Sequence, residues 1–189
     1  HSGCFVTEAC EYTNSYHSFF PTIEVILNIR EDHLDFFKDL EDIRSSFHTF
    51  AKLLPERGLL IINADIPDYR ELMADIACPM VTFSLSDEEA DYRAVDIRYD
   101  ERGYGSFDIL RRGEFLAHLD LEVPGEHNIA NALAAAAVAE ALKVPGEAIV
   151  EGLDGYTGTE RRFEFKGDLG GVTVIDDYAH HPHEIRATL

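Results

Sequence analysis

The sequence has few cysteines and no motif that would join them. Its 189 residues include only Cys4, Cys10 and Cys78, without a CxxC or any other metal-ligand spacing. An odd number without such spacing indicates neither a disulfide framework nor a zinc knuckle, and it favours a reducing compartment such as the cytoplasm. The chain also has no apolar run near the ~20 residues that a bilayer span needs, so we expect no membrane segment.

Basic residues are scarce as well. Only 16 Lys and Arg stand against 36 Asp and Glu, which gives a formal net charge of −20. Such a surface repels the phosphates of nucleic acids and of anionic membranes, so neither is an expected partner. A hydrophobic fraction of 46% is typical of a globular protein. A ligand that carries phosphate must therefore be small and held by local groups or metal ions.

The usual loop for binding a triphosphate is missing too. No GxxxxGK[ST] segment occurs, and Gly103 and Gly105 lie in a predicted hairpin turn with no lysine after it. The sequence begins with His1 and ends at Leu189 inside a predicted helix. We interpret the chain as a piece of a longer polypeptide.

The spacing of the apolar residues predicts an α/β fold: a mostly parallel sheet with flanking helices, plus an antiparallel β meander. From residue 92 to 123 the apolar period is two, as in strands with one buried face. Strands are also predicted at 4–6, 25–27, 59–62, 80–83, 162–165 and 172–175. Helices are predicted at 39–55 with Asp39 as N-cap, and at 68–78, 127–143 and 147–153.

A glycine-rich stretch indicates a hinge. Gly152, Gly155 and Gly158 fall within seven residues. We therefore predict one domain over residues 1–158 and the beginning of a second over 159–189, because the latter is too short to form a core alone.

Polar side chains follow the first two predicted strands. Glu8 follows the first, and Asp32, His33 and Asp35 follow the second. Because ligands of parallel sheets gather at the carboxyl ends of the strands, Glu8 and His33 would suit a divalent ion. Alternatively, the two aspartates cap the next helix and His33 is a solvated loop residue, since imidazole is an unusual partner for magnesium.

Three more features could bind a nucleotide. Asn128 and Asn131 share a face near the start of the predicted helix 127–143, where an amide can read a purine edge, although Asn128 could simply be an N-cap. Arg161-Arg162 could donate paired hydrogen bonds to phosphate oxygens or form surface ion pairs. The segment DDYAHHPHE, residues 176–184, concentrates carboxylates, a phenol and imidazoles that could serve metal, nucleotide or substrate.

Taken together, these segments resemble the Mur ligase family, in the family's order. They are TEACEYTNSYHSFFP (7–21), NIREDHLDFF (28–37), PGEHNIANALAAAAVA (124–139), RRFE (161–164) and DDYAHHPHEI (176–185). The DDYAHHP element after RRFE resembles the members that join L-alanine to UDP-N-acetylmuramate in peptidoglycan synthesis.

The resemblance implies a fold and a reaction. It implies an ATP-binding central domain up to about residue 158 and the opening of a Rossmann-like C-terminal domain. ATP would phosphorylate the carboxylate of UDP-N-acetylmuramate, and the amine of L-alanine would attack the acyl phosphate. Mg²⁺ would neutralise charge on the phosphates and on the developing oxyanion.

The resemblance also implies roles for single residues. Glu8 and His33 match magnesium ligands, and Arg162 matches an arginine that faces ATP. The other matches are Asn128 and Asn131 at the adenine, Asp177 on the nucleotide side, and Tyr178 with His180 facing the substrate. His33, Arg162 and His180 are the implied catalytic residues.

Other interpretations stay open. The chain could derive from a ligase that recycles murein peptides, or from a nucleotide-binding module without catalysis. A metal-dependent hydrolase with two ions is a third alternative, and its ligands would be Asp32, His33, Asp35, Asp176, Asp177, His180 and His181.

Two expectations follow from the ways in which the sequence departs from the family. The domain that holds the UDP-sugar, the phosphate loop and most of the C-terminal domain are absent from these residues. We therefore expect the 189-residue chain to be inactive by itself. An incomplete sheet would also expose a strand edge, which predicts self-association.

Overall fold

A computed structural model describes residues 3–180, 185 and 186. It contains two compact units, one up to Thr82 and one from Phe83 onward. Strand β3 (Met80–Ser84) runs across this division. The predicted domain boundary at residue 158 lies inside the second unit, and it stays a prediction.

The first unit is an α/β assembly around a parallel strand pair. Its elements are a 3₁₀ segment (Tyr12–Ser18), β1 (Ile23–Ile26), α1 (Leu40–Ala51), β2 (Leu59–Asn63) and α2 (Tyr69–Leu72). β1 and β2 are parallel, with Ile23 beside Leu59 and Ile26 beside Ile62. The predicted strand at 59–62 is confirmed.

Helix α1 begins where the sequence predicts it. The Asp39 carboxylate accepts a hydrogen bond from the Asp42 amide at 2.9 Å, and the Asp42 carboxylate accepts one from the Lys38 amide at 3.1 Å. The first bond satisfies an amide that the first helical turn leaves without an intrahelical partner, and the second holds the residue before the cap against the helix. The buried face of α1 includes Ile43 and Phe50. The prediction of an amphipathic helix capped by Asp39 is confirmed.

Three local predictions in the first unit need correction. Residues 4–6 form no strand within the described chain, and Phe5 and Val6 are 85% and 83% exposed. β1 buries one face only, because Val25 is exposed while Ile26 is buried. Helix α2 covers four residues rather than 68–78. Short apolar runs do not reveal whether a neighbouring strand is available to complete a ladder.

The buried face of β1 carries an acidic residue. Glu24 is 4% exposed, and neither of its carboxylate oxygens has a hydrogen-bond partner within the described residues. Burial raises the pKa of Glu24 to about 8. The carboxyl is therefore neutral over much of the ordinary pH range, because removing its charge avoids a large desolvation cost.

The second unit contains the predicted meander. Its strands are β4 (Tyr92–Tyr99), β5 (Tyr104–Arg111) and β6 (Glu114–Pro124), joined in antiparallel order. β4 also pairs in parallel with the end of β3, with Phe83 beside Tyr92. Gly103 and Gly113 adopt positive φ angles in the two turns, so both predicted turn positions are confirmed.

Two helices pack against the meander. α3 (Glu126–Ala141) contacts β4, β5 and β6, and α4 (Gly146–Asp154) packs on β6. A β-carbon on Gly105 would lie 2.8 Å from the Ile129 side chain, so glycine permits the close approach of β5 and α3. At the other end of α3, the Glu140 carboxylate accepts a hydrogen bond from the Tyr92 hydroxyl at 2.6 Å.

A hairpin closes the described chain. β7 (Glu164–Leu169) and β8 (Val172–Asp176) pair in antiparallel order, which confirms the strand predicted at 172–175. The strand predicted at 162–165 begins two residues later and extends to Leu169. Large apolar side chains on this hairpin are exposed, among them Phe165 and Val172. The predicted start of a helix near residue 181 falls largely on residues outside the described chain. None of the described helices has both the length and the apolarity needed to cross a bilayer.

We expect Asp39→Ala to destabilise the protein by about 1 kcal/mol, because the α1 cap is lost. Thermal unfolding followed by circular dichroism would show a fall in Tm of about 2–4 °C. Asp39→Ser should retain most of the stability, and Glu41→Ala in the same turn should have little effect. Equal losses for Asp39→Ala and Asp39→Ser would show that the cap does not stabilise the helix.

Candidate functional site

Three side chains in the first unit form a cluster suited to a cation. One ligand atom from each of Glu11, Asp32 and His33 lies within 4.8 Å of the other two. His33 Nε2 is 3.9 Å from Glu11 Oε1, and His33 Nδ1 is 3.8 Å from Asp32 Oδ1. The His33 side chain is about one-third exposed, at 32%, so the group is accessible from solvent. We call these three residues the cation cluster.

Backbone geometry after β1 positions the cluster. His33 has a φ of 51°, in the left-handed region, and its amide donates to Asp32 Oδ1 at 2.7 Å. The His33 carbonyl accepts hydrogen bonds from the amides of Phe36 and Phe37, and Phe37 is buried in the core. The turn therefore holds the imidazole at the surface while the chain returns to the interior.

Tyr12 supports the same turn from the 3₁₀ segment. Its ring centroid is 4.7 Å from that of His33, and its hydroxyl donates to Asp35 Oδ2 at 2.9 Å. This hydrogen bond is the main cause of the raised pKa of Tyr12. Because Glu11 directly precedes Tyr12, these contacts also fix the segment that carries the first carboxylate of the cluster.

The acidic residue opposite His33 is Glu11, whereas the sequence prediction named Glu8. Glu8 is exposed and lies outside the cation cluster. Both carboxylates belong to the same TEACE segment, and spacing alone offers no means of choosing between them. No local signal in the sequence points to Glu11, because the choice depends on the turn at His33, which is distant in sequence. The role of Glu8 as a metal ligand stays a prediction.

The cluster fits a divalent ion of the magnesium and manganese type. Two carboxylates supply the oxygen ligands that both ions prefer, and manganese also accepts imidazole. No cysteine belongs to the group, which argues against a structural zinc centre. His33 could bind the ion directly or accept a hydrogen bond from one of its water ligands.

A second group of predicted residues lies at the start of α3. The helix begins at Glu126 with Gly125 as N-cap, so Asn128 is not the cap. Asn128 Nδ2 donates to the Pro124 carbonyl at 2.8 Å, and Asn131 Nδ2 donates to Asn128 Oδ1 at 3.3 Å. The two amides therefore share a face as predicted. Asn131, which is exposed, presents its amide oxygen to solvent.

Asp177 organises the segment after the glycine-rich stretch. Its two carboxylate oxygens accept hydrogen bonds from the amides of Phe163 and Ala179, each at 2.7 Å. The Tyr178 amide donates to the Arg161 carbonyl at 2.7 Å. Arg161 and Phe163 both have left-handed φ angles, which cost about 1–3 kcal/mol each. Asp177 thus acts here as a scaffold for a strained backbone.

The arginine pair and the substrate-side residues meet around Tyr178. The guanidinium carbons of Arg161 and Arg162 lie 4.7 and 6.0 Å from the Tyr178 ring centroid. The His180 ring is 5.3 Å from the same ring, edge on, and His180 Nδ1 lies 3.1 Å from the Tyr178 carbonyl oxygen. The structure therefore brings Arg162, Tyr178 and His180 together.

His127 connects this group with the α3 terminus. Desolvation lowers the pKa of His127, the Asp177 charge opposes that shift, and the Arg162 charge adds to it. A β-carbon on Gly125 would lie 2.7 Å from the His127 ring, and Gly125 has a φ of 97°. Arg162 and Asp177 therefore act electrostatically on the helix start that carries Asn128.

The arrangement does not favour the two-ion hydrolase. Among the described residues, the cation cluster is the only group of three or more His, Cys, Asp or Glu ligands close enough to hold an ion. Both oxygens of Asp177 already accept backbone amides, and Asp176 lies 4.0 Å from Lys166 Nζ. His181, another ligand of that hypothesis, lies outside the described residues.

The sequence is similar to those of known proteins. Residues 2–139 match the Mur ligase middle domain, and residues 161–189 match the Mur ligase glutamate ligase domain. The UDP-N-acetylmuramate–L-alanine ligase of Lachnospira eligens is 54% identical over 98% of this chain. The chain spans about 40% of the length of that relative.

Solved structures give the same result for the fold. The UDP-N-acetylmuramate-alanine ligase of Thermotoga maritima superposes with a TM-score of 0.74 and 29% identity, over 92% of this chain and 38% of that one. MurF of Acinetobacter baumannii gives a TM-score of 0.77 and 27% identity, over 93% and 37% of the two chains. These likenesses confirm the predicted α/β class.

We expect Glu11→Gln to weaken Mn²⁺ binding at least about tenfold, because the cluster loses a charged ligand. Titration followed by electron paramagnetic resonance would measure the affinity. Glu8→Gln is the matched control, from the same segment and with the same chemical change, and should alter the affinity less than twofold. The reverse ranking would reject the cation cluster and support Glu8 as the ligand.

Proposed function

Because the chain belongs to the Mur ligase family, we propose that the protein to which it corresponds joins L-alanine to UDP-N-acetylmuramate in an ATP-dependent reaction. The observation that carries this proposal is the 54% identity to a ligase of that name, maintained over 98% of the chain. The reaction belongs to the synthesis of peptidoglycan precursors. We place it in the cytoplasm, in keeping with the three free cysteines.

The proposed chemistry activates a carboxylate and then transfers it to an amine. The carboxylate of UDP-N-acetylmuramate attacks the γ-phosphorus of ATP and releases ADP. The alanine amine then attacks the acyl phosphate, loses a proton, and displaces inorganic phosphate. Charge accumulates first on the transferring phosphoryl group and then on the tetrahedral oxyanion, so both steps require cationic groups or hydrogen-bond donors.

The cation cluster is the proposed site for Mg²⁺. A bound ion would neutralise charge on the phosphate oxygens and on the acyl phosphate. Glu11 and Asp32 supply anionic oxygens, and the left-handed turn at His33 orients the imidazole toward them. We include His33 among the catalytic residues in this sense, as a direct or water-mediated ligand.

The α3 terminus and the arginine pair are the proposed nucleotide-binding groups. Asn131, supported by Asn128, is suited to read the adenine edge, because an amide both donates and accepts hydrogen bonds. Arg162 provides positive charge for phosphate oxygens. Asp177 acts as a positioning residue, through the two amides it accepts, rather than through contact with the nucleotide.

Tyr178 and His180 are the proposed substrate-side residues. They lie edge to face beside the arginine pair, so a group bound there would meet an aromatic surface and an imidazole. His180 could orient the acyl acceptor or move a proton from the attacking amine. A chain with a net charge of −20 repels small anionic substrates, so local groups of this kind are needed to offset the repulsion between protein and substrate.

In the full-length parent protein, we expect phosphate release that depends on ATP, UDP-N-acetylmuramate and L-alanine together. Asn131→Ala should raise the KM for ATP about five- to tenfold, the effect of losing about 1–1.4 kcal/mol of hydrogen bonding. Glu147→Ala, on the exposed first turn of α4, is the control and should leave KM unchanged.

A coupled phosphate assay with purified substrates would measure these effects. The 189-residue chain alone should show no turnover, because it contains no phosphate-gripping loop. Release with a murein tripeptide in place of L-alanine would favour the recycling ligase instead. Phosphate release from ATP without any acceptor would reject the ligase proposal.

We further propose that this chain self-associates. β1 pairs with β2 on one side, and no described strand pairs with its other edge. Phe5 and Val6, in the chain before the 3₁₀ segment, are also exposed. Sedimentation should show dimers or larger species at high concentration, reduced by Phe5→Asp but not by Phe165→Asp in the hairpin. A monomer at every concentration would contradict the proposal.

A further inference from the structure

Glu24 occupies an unusual place for a carboxyl group. It lies on β1, on the same strand face as Ile26, which belongs to the hydrophobic core of the first unit. Only 4% of its surface is exposed, and both side-chain oxygens lack hydrogen-bond partners among the described residues. An ionised carboxylate in such a place is strongly unfavourable unless it is paired or hydrated.

The titratable groups around Glu24 do not stabilise its charge. The groups that respond to its charge are Tyr16, in the 3₁₀ segment, and Cys78, in the chain before β3. The Glu24 charge contributes to the raised pKa of both. Burial is the only resolved cause of the raised pKa of Glu24, with no Lys, Arg or His offsetting it in the described chain. Tyr16 itself is hydrogen-bonded to Ser46, at 2.7 Å between the hydroxyl oxygens.

We propose that Glu24 is a proton-controlled latch of the first unit. When neutral, its side chain stays in the core and β1 remains closed against Tyr16 and Cys78. When it loses its proton, the carboxylate must reach water, and it can do so only if β1 separates from those neighbours. Among the described residues of this unit Glu24 is the only buried charged residue, so no other group there would drive the same opening.

The pH range follows from the direction of the shift. The folded pKa of about 8 lies above the ordinary value of 4.5, so the closed state is fully favoured below pH 4.5. Its advantage is lost progressively as the pH rises toward 8 and changes little above that. If Glu24 titrates normally in the open state, the ratio of open to closed molecules rises about 50-fold between pH 6 and pH 8.

The latch also bears on the cation cluster, a consequence that rests on the proposed function. β1 ends at Ile26 and leads directly into the loop that carries Asp32 and His33. The 3₁₀ segment that contains Tyr16 begins one residue after Glu11. Movement of β1 would therefore shift the loop that carries Asp32 and His33 relative to Glu11, and opening would separate the ligand atoms of the cluster.

Reactivity of the buried Cys78 thiol tests the latch without any bound ion. The full 189-residue chain would carry Cys4→Ser and Cys10→Ser, and alkylation of Cys78 would be followed by mass spectrometry at pH 6, 7 and 8. This double-serine chain is the parent in the experiment, and its Glu24→Gln variant is the comparison. We expect the ratio of the two alkylation rates, parent over variant, to increase at least tenfold from pH 6 to pH 8. Taking the ratio removes most of the increase in thiolate fraction with pH. The remaining difference works against the expected result, because the Glu24 charge raises the pKa of Cys78 in the parent only and so lowers its thiolate fraction.

Two further variants complete the test. Glu31→Gln changes an exposed carboxylate in the loop after β1 and should behave like the parent. Glu24→Leu provides the non-ionising comparison if Glu24→Gln does not fold. A rate ratio that stays within twofold from pH 6 to pH 8 would overturn the latch.

Mn²⁺ affinity tests the consequence for the cluster separately. Between pH 6 and pH 8, the affinity of the parent relative to Glu24→Gln should fall. A constant relative affinity alongside a rising labelling ratio would remove the link to the cluster and leave the latch. Failure of Mn²⁺ to bind either protein at any pH would reject the proposed cation site, while the labelling result would still decide the latch.

Discussion

The left-handed backbone at His33 is the constraint on which the candidate site depends. A histidine at a φ of 51° is unfavourable, and the cost is offset locally by the hydrogen bond from its amide to Asp32 and by the two amides that its carbonyl accepts. This turn allows the chain to leave β1, expose an imidazole, and return Phe37 to the core within four residues. The cluster geometry is thus a product of backbone strain.

The segment after the glycine-rich stretch also has a strained backbone that a carboxylate supports. Arg161 and Phe163 are left-handed, and the Asp177 carboxylate holds the second of them through the Phe163 amide. Such strain persists only where surrounding contacts determine the conformation, and it concentrates at functional positions. The family resemblance connects Asp177 with the nucleotide. In the structure Asp177 also supports the backbone, a role that sequence motifs do not reveal.

Elements governed by local chemistry could be predicted from the sequence. Asp39 is followed by a periodic apolar pattern, so both the cap and α1 are found where expected, and the alternation from residue 92 gives the meander. Residues 4–6 and the choice between Glu8 and Glu11 could not be settled in this way. Both depend on partners distant in sequence: a neighbouring strand for the first, and the turn at His33 for the second.

The burial of Glu24 could not be predicted from the sequence either. The apolar run at residues 25–27 predicts a strand, but such a run does not say which face is covered, and an acidic residue beside it would normally be assigned to solvent. In the structure Val25 is exposed and Glu24 is enclosed, so the strand presents its polar side chain to the core. A one-residue change of register would reverse both. The burial of Glu24 therefore runs against the hydrophobic pattern of the sequence. Protonation removes the charge of its carboxyl and so makes this register compatible with a closed core.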